Sequence, residues 1–394
     1  MPTRASVLPN RTRIGELVAK GVLAVAAASF TYAAADLAAG YFLIKRLSPP
    51  IVPDPLLHHR LEPNTFSRFT SPDFDYTQRV NNLGLRGPDI NPVKRKTSYR
   101  ILMLGDSFTM GLGVHDDETF SARLEQSLNA KGVTVEGRTV EVLNAGVKSY
   151  APILYFLQLT KRLAGLSPDL VVLNLDMSDL AQETAFRSEA TYGSDGEVIA
   201  VSGRKDERKR PASRRARIKA WINQHLYFTR LAVFYVEGAI GEPDVAKPTV
   251  ENTFNVVTRI TIWHTLAADT VDRTQEWRNL FDSIVRIRDY CHRKRIEFLL
   301  TLYPWGHQVN DREWVPGRGM YIPAGAAVSD RSIHAVREFA SQANIELLDV
   351  VPAFRSYEDT VPLYFKHDAH WTPQGHRLMA EQLEQFLTRK FAGR

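Results

Sequence analysis

From residue 100 to the end of the chain, short continuous apolar runs alternate with stretches in which apolar residues recur every three or four positions. The runs predict strands over residues 100–104, 139–143, 170–175, 296–302 and 345–350. The periodic stretches predict helices near 119–130, 152–163, 274–293 and 330–343, with a closing helix from Pro373. The helix before the fourth strand carries Trp277, Leu280, Phe281, Ile284, Ile287 and Cys291 on one face, and the closing helix carries Leu378, Met379, Leu383, Phe386 and Leu387. Strands separated by helices imply parallel units with right-handed crossovers. The expected class is α/β, a flavodoxin-like three-layer sandwich around a five-stranded parallel sheet.

The pattern differs before residue 98. Residues 21–44 form an alanine-rich apolar stretch long enough to cross a bilayer, interrupted by Asp36 and preceded by Arg4, Arg11, Arg13 and Lys20. The charge bias keeps residues 1–20 in the cytoplasm and exports the chain beyond the stretch, which makes 21–44 a transmembrane anchor. A cleaved signal peptide ending within Ala33-Ala34-Ala35 and a buried globular helix are the other readings. Residues 45–97 are rich in proline and read as a stiff linker and edge segment. Residues 98–394 form the main domain, with an insertion at about 183–271.

Chemistry concentrates at the ends of two predicted elements. Gly105-Asp106-Ser107 comes directly after the first strand, and the carboxyl end of such a strand is where open α/β sheets keep their reactive groups. Backbone N–H groups of the turn there favour an attacking oxygen or an oxyanion, which marks Ser107 as a nucleophile. A serine needs a base. Asp368 and His370 lie two residues apart near the C-terminus, so in an extended loop both side chains leave one face, and the carboxylate can hold the imidazole while its other nitrogen meets Ser107. Thr372 as N-cap and Pro373 as first helical residue fix that loop on the closing helix. His376 is the competing base, but its place in the first turn of that helix suits packing better.

These blocks resemble the SGNH, or GDSL-type, hydrolase superfamily. Gly105-Asp106-Ser107 with Gly111-Leu112-Gly113-Val114 is similar to its first block, Asn144-Ala145-Gly146-Val147 to its second, and Asp368-Ala369-His370 to its last. The resemblance implies an oxyanion hole made by the N–H groups of Ser107 and Gly146. In the third block Ser178 stands where the superfamily has an asparagine donor, so Ser178 is the third expected donor, with a shorter reach. The short Asp-x-His spacing resembles that of envelope-bound bacterial members. Asn81-Asn82-Leu83-Gly84-Leu85-Arg86-Gly87 is similar to a segment preceding the first block in many exported relatives, and its plain reading is a turn-forming linker.

Together these features lead to the expectation of a serine-dependent acyl-ester hydrolase on the outer face of a bacterial inner membrane, single-pass. Location and resemblance make O-acyl groups of an envelope polysaccharide the expected substrate. An O-acetyltransferase using the same triad and a non-catalytic polysaccharide-binding module remain open. No cofactor or metal is expected, since no His/Cys cluster has ligand spacing and no phosphate-cradling glycine loop comes after a strand. The insertion carries a basic run between Arg204 and Lys219, which suits anionic lipid or an acidic polysaccharide. Nucleic acid is not expected, because no nucleic-acid-binding motif accompanies the charge and the net charge of +6 is modest. Trp221 and Phe228 in the insertion, and Tyr303 and Trp305 after the fourth strand, are aromatic candidates for the cleft.

Overall fold

A computed structural model describes residues 11–39, 51–202 and 260–392, together with 218, 221–222, 226 and 228–229. The chain divides into two units, one of residues 1–47 and 211–242 and one of residues 48–210 and 243–394.

In the first unit, helix α1 (Arg11–Ala39) contains a span, Val18–Ala39, long and apolar enough to cross a membrane. The one acid within that span is buried: Asp36 accepts hydrogen bonds from Phe228 N at 2.6 Å and Thr229 N at 3.1 Å, and from the Thr229 hydroxyl. Backbone donors thus satisfy a carboxylate that an apolar helix could not otherwise carry. Trp221 and Phe228, aromatic candidates for the cleft, fall in this unit. The basic run at 204–219 lies outside the described residues apart from Ile218.

The second unit begins with two hairpins, β1 (Ile51–Asp54) with β2 (His58–Leu61), and β3 (Thr65–Thr70) with β4 (Asp75–Val80). Residues 51–80 are therefore folded back on themselves and do not form an extended spacer. The reason is local. Asp54 Oδ1 accepts from Leu56 N and Leu57 N across Pro55, an Asx turn that uses the proline as a corner.

The main sheet contains β5 (Ser98–Leu104), β6 (Thr134–Val135), β7 (Arg138–Asn144), β8 (Leu170–Leu175), β11 (Glu297–Leu302) and β12 (Leu347–Asp349), in the order β12-β11-β8-β5-β7-β6. Between β8 and β11, β9 (Ala190–Tyr192) and β10 (Val198–Val201) form a hairpin. The five expected strands are parallel and flavodoxin-like in order. β6 is an addition, antiparallel to β7 across the turn Glu136-Gly137, where both residues have positive φ (53° and 74°). β5 and β8 are buried along their whole length, as strands covered on both faces must be.

Helices α2 (Ser107–Met110), α3 (Phe120–Ala130), α4 (Pro152–Gln158) and α5 (Asp179–Arg187) precede the long α6 (Thr274–Lys294). Then come α7 (Gly306–Val309), α8 (Arg331–Gln342), α9 (Val351–Arg355) and α10 (Pro373–Phe391). Thr372 caps α10 by accepting from Gln374 N and Gly375 N. Cys291 is buried on α6, where burial pushes its thiol up to about 12.

Candidate active site

β5 delivers the nucleophile candidate. After Leu104 the chain turns at Gly105, Asp106 caps α2 by accepting from Phe108 N at 2.9 Å, and Ser107 is the first helical residue. Gly105 is needed for close approach, since a Cβ there would lie 2.0 Å from Thr109 Oγ1. At the other end of α2, Gly111 takes a left-handed conformation (φ 84°) that only glycine adopts without strain.

The loop before α10 brings Asp368 and His370 to the same place. His370 Nε2 lies 2.7 Å from Ser107 Oγ, and His370 Nδ1 is hydrogen-bonded to Asp368 Oδ1, which also accepts from His370 N at 2.9 Å. Burial alone would raise the Asp368 carboxyl. The facing imidazole, its hydrogen bonds and the Lys148 ammonium outweigh burial and hold Asp368 below the usual carboxylate range. The Phe108 ring lies 4.7 Å from the His370 ring and fixes its plane from the side. His376 is elsewhere engaged: its Nδ1 accepts from Phe120 N at 3.2 Å, its ring stacks on Phe120, and burial together with nearby Arg86 and Arg123 keeps it neutral.

The three expected oxyanion donors have partners of their own. Gly146 N–H donates to Asn144 Oδ1 at 3.0 Å, and the amide of Asn144 is itself held by Thr109 O and Ser121 Oγ. Ser178 Oγ donates to Asp176 Oδ1 at 2.7 Å. Ser107 N–H faces the Asp106 carboxylate. Gly146 has a second reason to be glycine, because a Cβ would sit 2.2 Å from Met110 N.

Behind the serine lies a buried acidic group. Asp106, Asp176 and Asp179 are all buried, and burial followed by mutual repulsion raises Asp106 and Asp179 well above the carboxylate range. Tyr155 OH donates to Asp179 and Trp305 Nε1 to Asp176, so these rings brace the site from beneath. Tyr303 and Trp305, aromatic candidates for the cleft, are buried and act as packing.

Sequence reading missed Asp73 and underrated Arg86. Asp73, in the turn between β3 and β4, accepts from His367 N, Asp368 N and His367 Nδ1. Arg86 is buried against the loop after α2. Only the Gly84-Leu85-Arg86-Gly87 context hinted at the second, and nothing in the sequence marked the first.

Residues 271–394 match the family described as "SGNH hydrolase-like domain, acetyltransferase AlgX". No curated protein matches the chain. Among solved structures, an acetyl xylan esterase, AlAXEase, is similar at a TM-score of 0.39 and 13% identity, covering 73% of this chain and 99% of that one. A lipase/acylhydrolase from Enterococcus faecalis gives 0.39 and 12%, covering 74% and 96%. A two-domain esterase active on acetylated mannans, CEX, gives 0.37 and 11%, covering 75% and 50%. The family match, over residues 271–394, is to an SGNH hydrolase-like domain, the superfamily that the sequence blocks resemble.

Proposed function

We propose that the protein is a serine-dependent acyl-ester hydrolase in which Ser107, His370 and Asp368 form the catalytic triad. The observation that carries this reading is the continuous hydrogen-bonded line from Asp368 through both imidazole nitrogens to Ser107 Oγ. In this mechanism His370 Nε2 takes the hydroxyl proton as Ser107 Oγ attacks the ester carbonyl. Asp368 holds the proton-bearing Nδ1 and stabilises the imidazolium that forms. The tetrahedral intermediate collapses to an acyl-serine, and His370 returns the proton to the leaving alcohol. Water, deprotonated by His370, then releases the acid.

Charge developing on the carbonyl oxygen is met by Ser107 N–H, Gly146 N–H and Ser178 Oγ. Gly146 and Ser178 would exchange their present acceptors for the oxyanion. For Ser178 this exchange is cheap, because Asp176 Oδ1 keeps two backbone donors, Ser178 N and Asp179 N, after the hydroxyl rotates away.

The substrate we infer is an O-acyl group, most simply acetyl, on an envelope polysaccharide. Support comes from the apolar N-terminal helix with its preceding basic residues, which suits a single-pass inner-membrane protein with this domain outside the cytoplasm. A second reading, transfer of the acetyl group to a sugar hydroxyl in place of water, is favoured by the family match, whose description names an acetyltransferase. Reaction with a fluorophosphonate followed by peptide mass spectrometry tests the common core: a modified Ser107 supports both, and an unmodified protein points to a binding module. Acetate release measured with and without an oligosaccharide acceptor separates hydrolysis from transfer. A reporter active only outside the cytoplasm, fused after Arg394, tests the location.

A further inference from the structure

The stretch from the turn between β3 and β4 to Arg86 touches both halves of the proposed reacting pair. Arg86 has a side chain only 1% exposed, and its guanidinium reaches the far end of the helix that carries Ser107. Nη1 donates to Met110 O at 2.7 Å and to Gly111 O, Nη2 donates to Val114 O, and Nε pairs with Asp116 at 2.9 Å. A four-residue helix leaves terminal carbonyls in need of outside partners; Ser107 O and Phe108 O accept from backbone N–H groups and Thr109 O from Asn144, while Arg86 takes Met110 O and the carbonyls of Gly111 and Val114 just beyond. Arg86 N also donates to Asn144 O at 3.1 Å, which ties the same residue to the strand end that leads to Gly146.

Asp73 grips the opposite half. Its carboxylate accepts from His367 N at 2.8 Å, Asp368 N at 2.7 Å and His367 Nδ1 at 2.7 Å, and its own turn is held by Ser71 Oγ, which accepts from Asp73 N and Phe74 N. Next to it, Phe74 packs edge-on against Phe365, and Phe365 leaves no room for a Cβ at Gly113 in the loop that Arg86 binds. One short stretch of chain, residues 73–86, therefore contacts the nucleophile's loop and the loop of its base.

We propose that Asp73 and Arg86 are positioning residues for the ester chemistry, holding the Asp368–His370 loop and the Ser107 helix so that His370 Nε2 and Ser107 Oγ stay 2.7 Å apart, without touching the reacting atoms. The proposal rests on the triad reading above. Displacement of a reacting group by about 1 Å costs on the order of a hundredfold in rate, so a looser grip is read in turnover before it is read in binding.

The test uses the full-length protein with Asp73→Asn, Arg86→Lys and Ser107→Ala, assayed on p-nitrophenyl acetate and by the rate of fluorophosphonate labelling, with thermal unfolding to report the folded state. Asp73→Asn and Arg86→Lys are expected to lower kcat about tenfold or more with KM within about twofold, and labelling of Ser107 should slow in parallel. Should Arg86→Lys fold poorly, Asp73→Asn decides, since it preserves shape at a turn. An inactive Ser107→Ala beside a wild-type-like Asp73→Asn overturns the positioning role alone, as does a loss of rate that only tracks loss of folded protein. A fully active Ser107→Ala overturns the triad, and this proposal with it.

Discussion

Ser178 Oγ lies 2.7 Å from Asp176 Oδ1 and donates its hydroxyl hydrogen bond to that carboxylate. The position at which the superfamily carries an asparagine donor is thus occupied here by a hydroxyl turned inward. The part proposed for it in the reaction depends on rotation about a single bond.

If the hydroxyl turns to the oxyanion, Ser178→Ala lowers kcat roughly tenfold while KM stays the same, because the bond strengthens only as charge develops. Steady-state kinetics on an aryl acetate measure both constants. Equal kcat in the two proteins would mean that the hydroxyl never leaves Asp176.

The two histidines near Ser107 should separate cleanly. His370→Ala is expected to cost several powers of ten in kcat/KM, as loss of a triad member does. His376→Ala should keep most of the activity and instead lose about 2 kcal/mol of stability, since it empties a buried site and strands Phe120 N–H. Reversal of this pattern in paired kinetic and denaturant measurements would move the base to His376.

Gly146→Ala tests a steric claim. Its Cβ would meet backbone atoms of Thr109 and Met110 at 2.6 and 2.2 Å, and backbone cannot rotate aside as a side chain can. The variant should lose on the order of 3 kcal/mol in urea unfolding and most of its turnover. Gly105→Ala meets the movable Thr109 side chain, so its loss should be smaller; equal losses would contradict the distinction.

Burial, with Arg318 nearby, lowers the His307 imidazole to about 3, and its Nε2 pairs with Thr265 Oγ1 at 2.6 Å. The folded protein keeps this ring neutral while the unfolded chain protonates it near pH 6.5. The neutral ring's contribution is therefore intact above pH 6.5 and is lost as pH falls toward 3, by about 1.4 kcal/mol per unit. Compared with His307→Gln, the wild type should lose about 2 kcal/mol of relative stability between pH 7.5 and 5.0 in urea titrations. A constant difference between the two would show that the ring titrates normally in the fold.

Much of the scaffold was legible because its cause is written locally. Continuous burial of β8 is explained by the apolar residues Leu170 to Leu173 and Leu175, with Asn174 paired to Leu104 O and the Thr301 hydroxyl, and α10 begins where Thr372 and Pro373 require. The meeting of Ser107, His370 and Asp368 was legible because few residue types suit the chemistry proposed for them. β6 was missed because its tight turn uses Glu136 where asparagine would have announced it. The early hairpins were missed because proline signals an extended chain unless a side chain such as Asp54 closes the corner. Asp73 left no trace, since a carboxylate that binds backbone amides 294 and 295 residues away has no local pattern.

His370, the proposed base, comes 263 residues after Ser107, the proposed nucleophile. Synthesis proceeds from the N-terminus at about 5–20 residues per second, so the serine exists for on the order of tens of seconds before its histidine has been made. During that interval the growing chain would hold the proposed nucleophile without the histidine that activates it. On the proposed mechanism, reactivity begins only when the last helix seats its loop, which would make completion of the chain the step that arms the site.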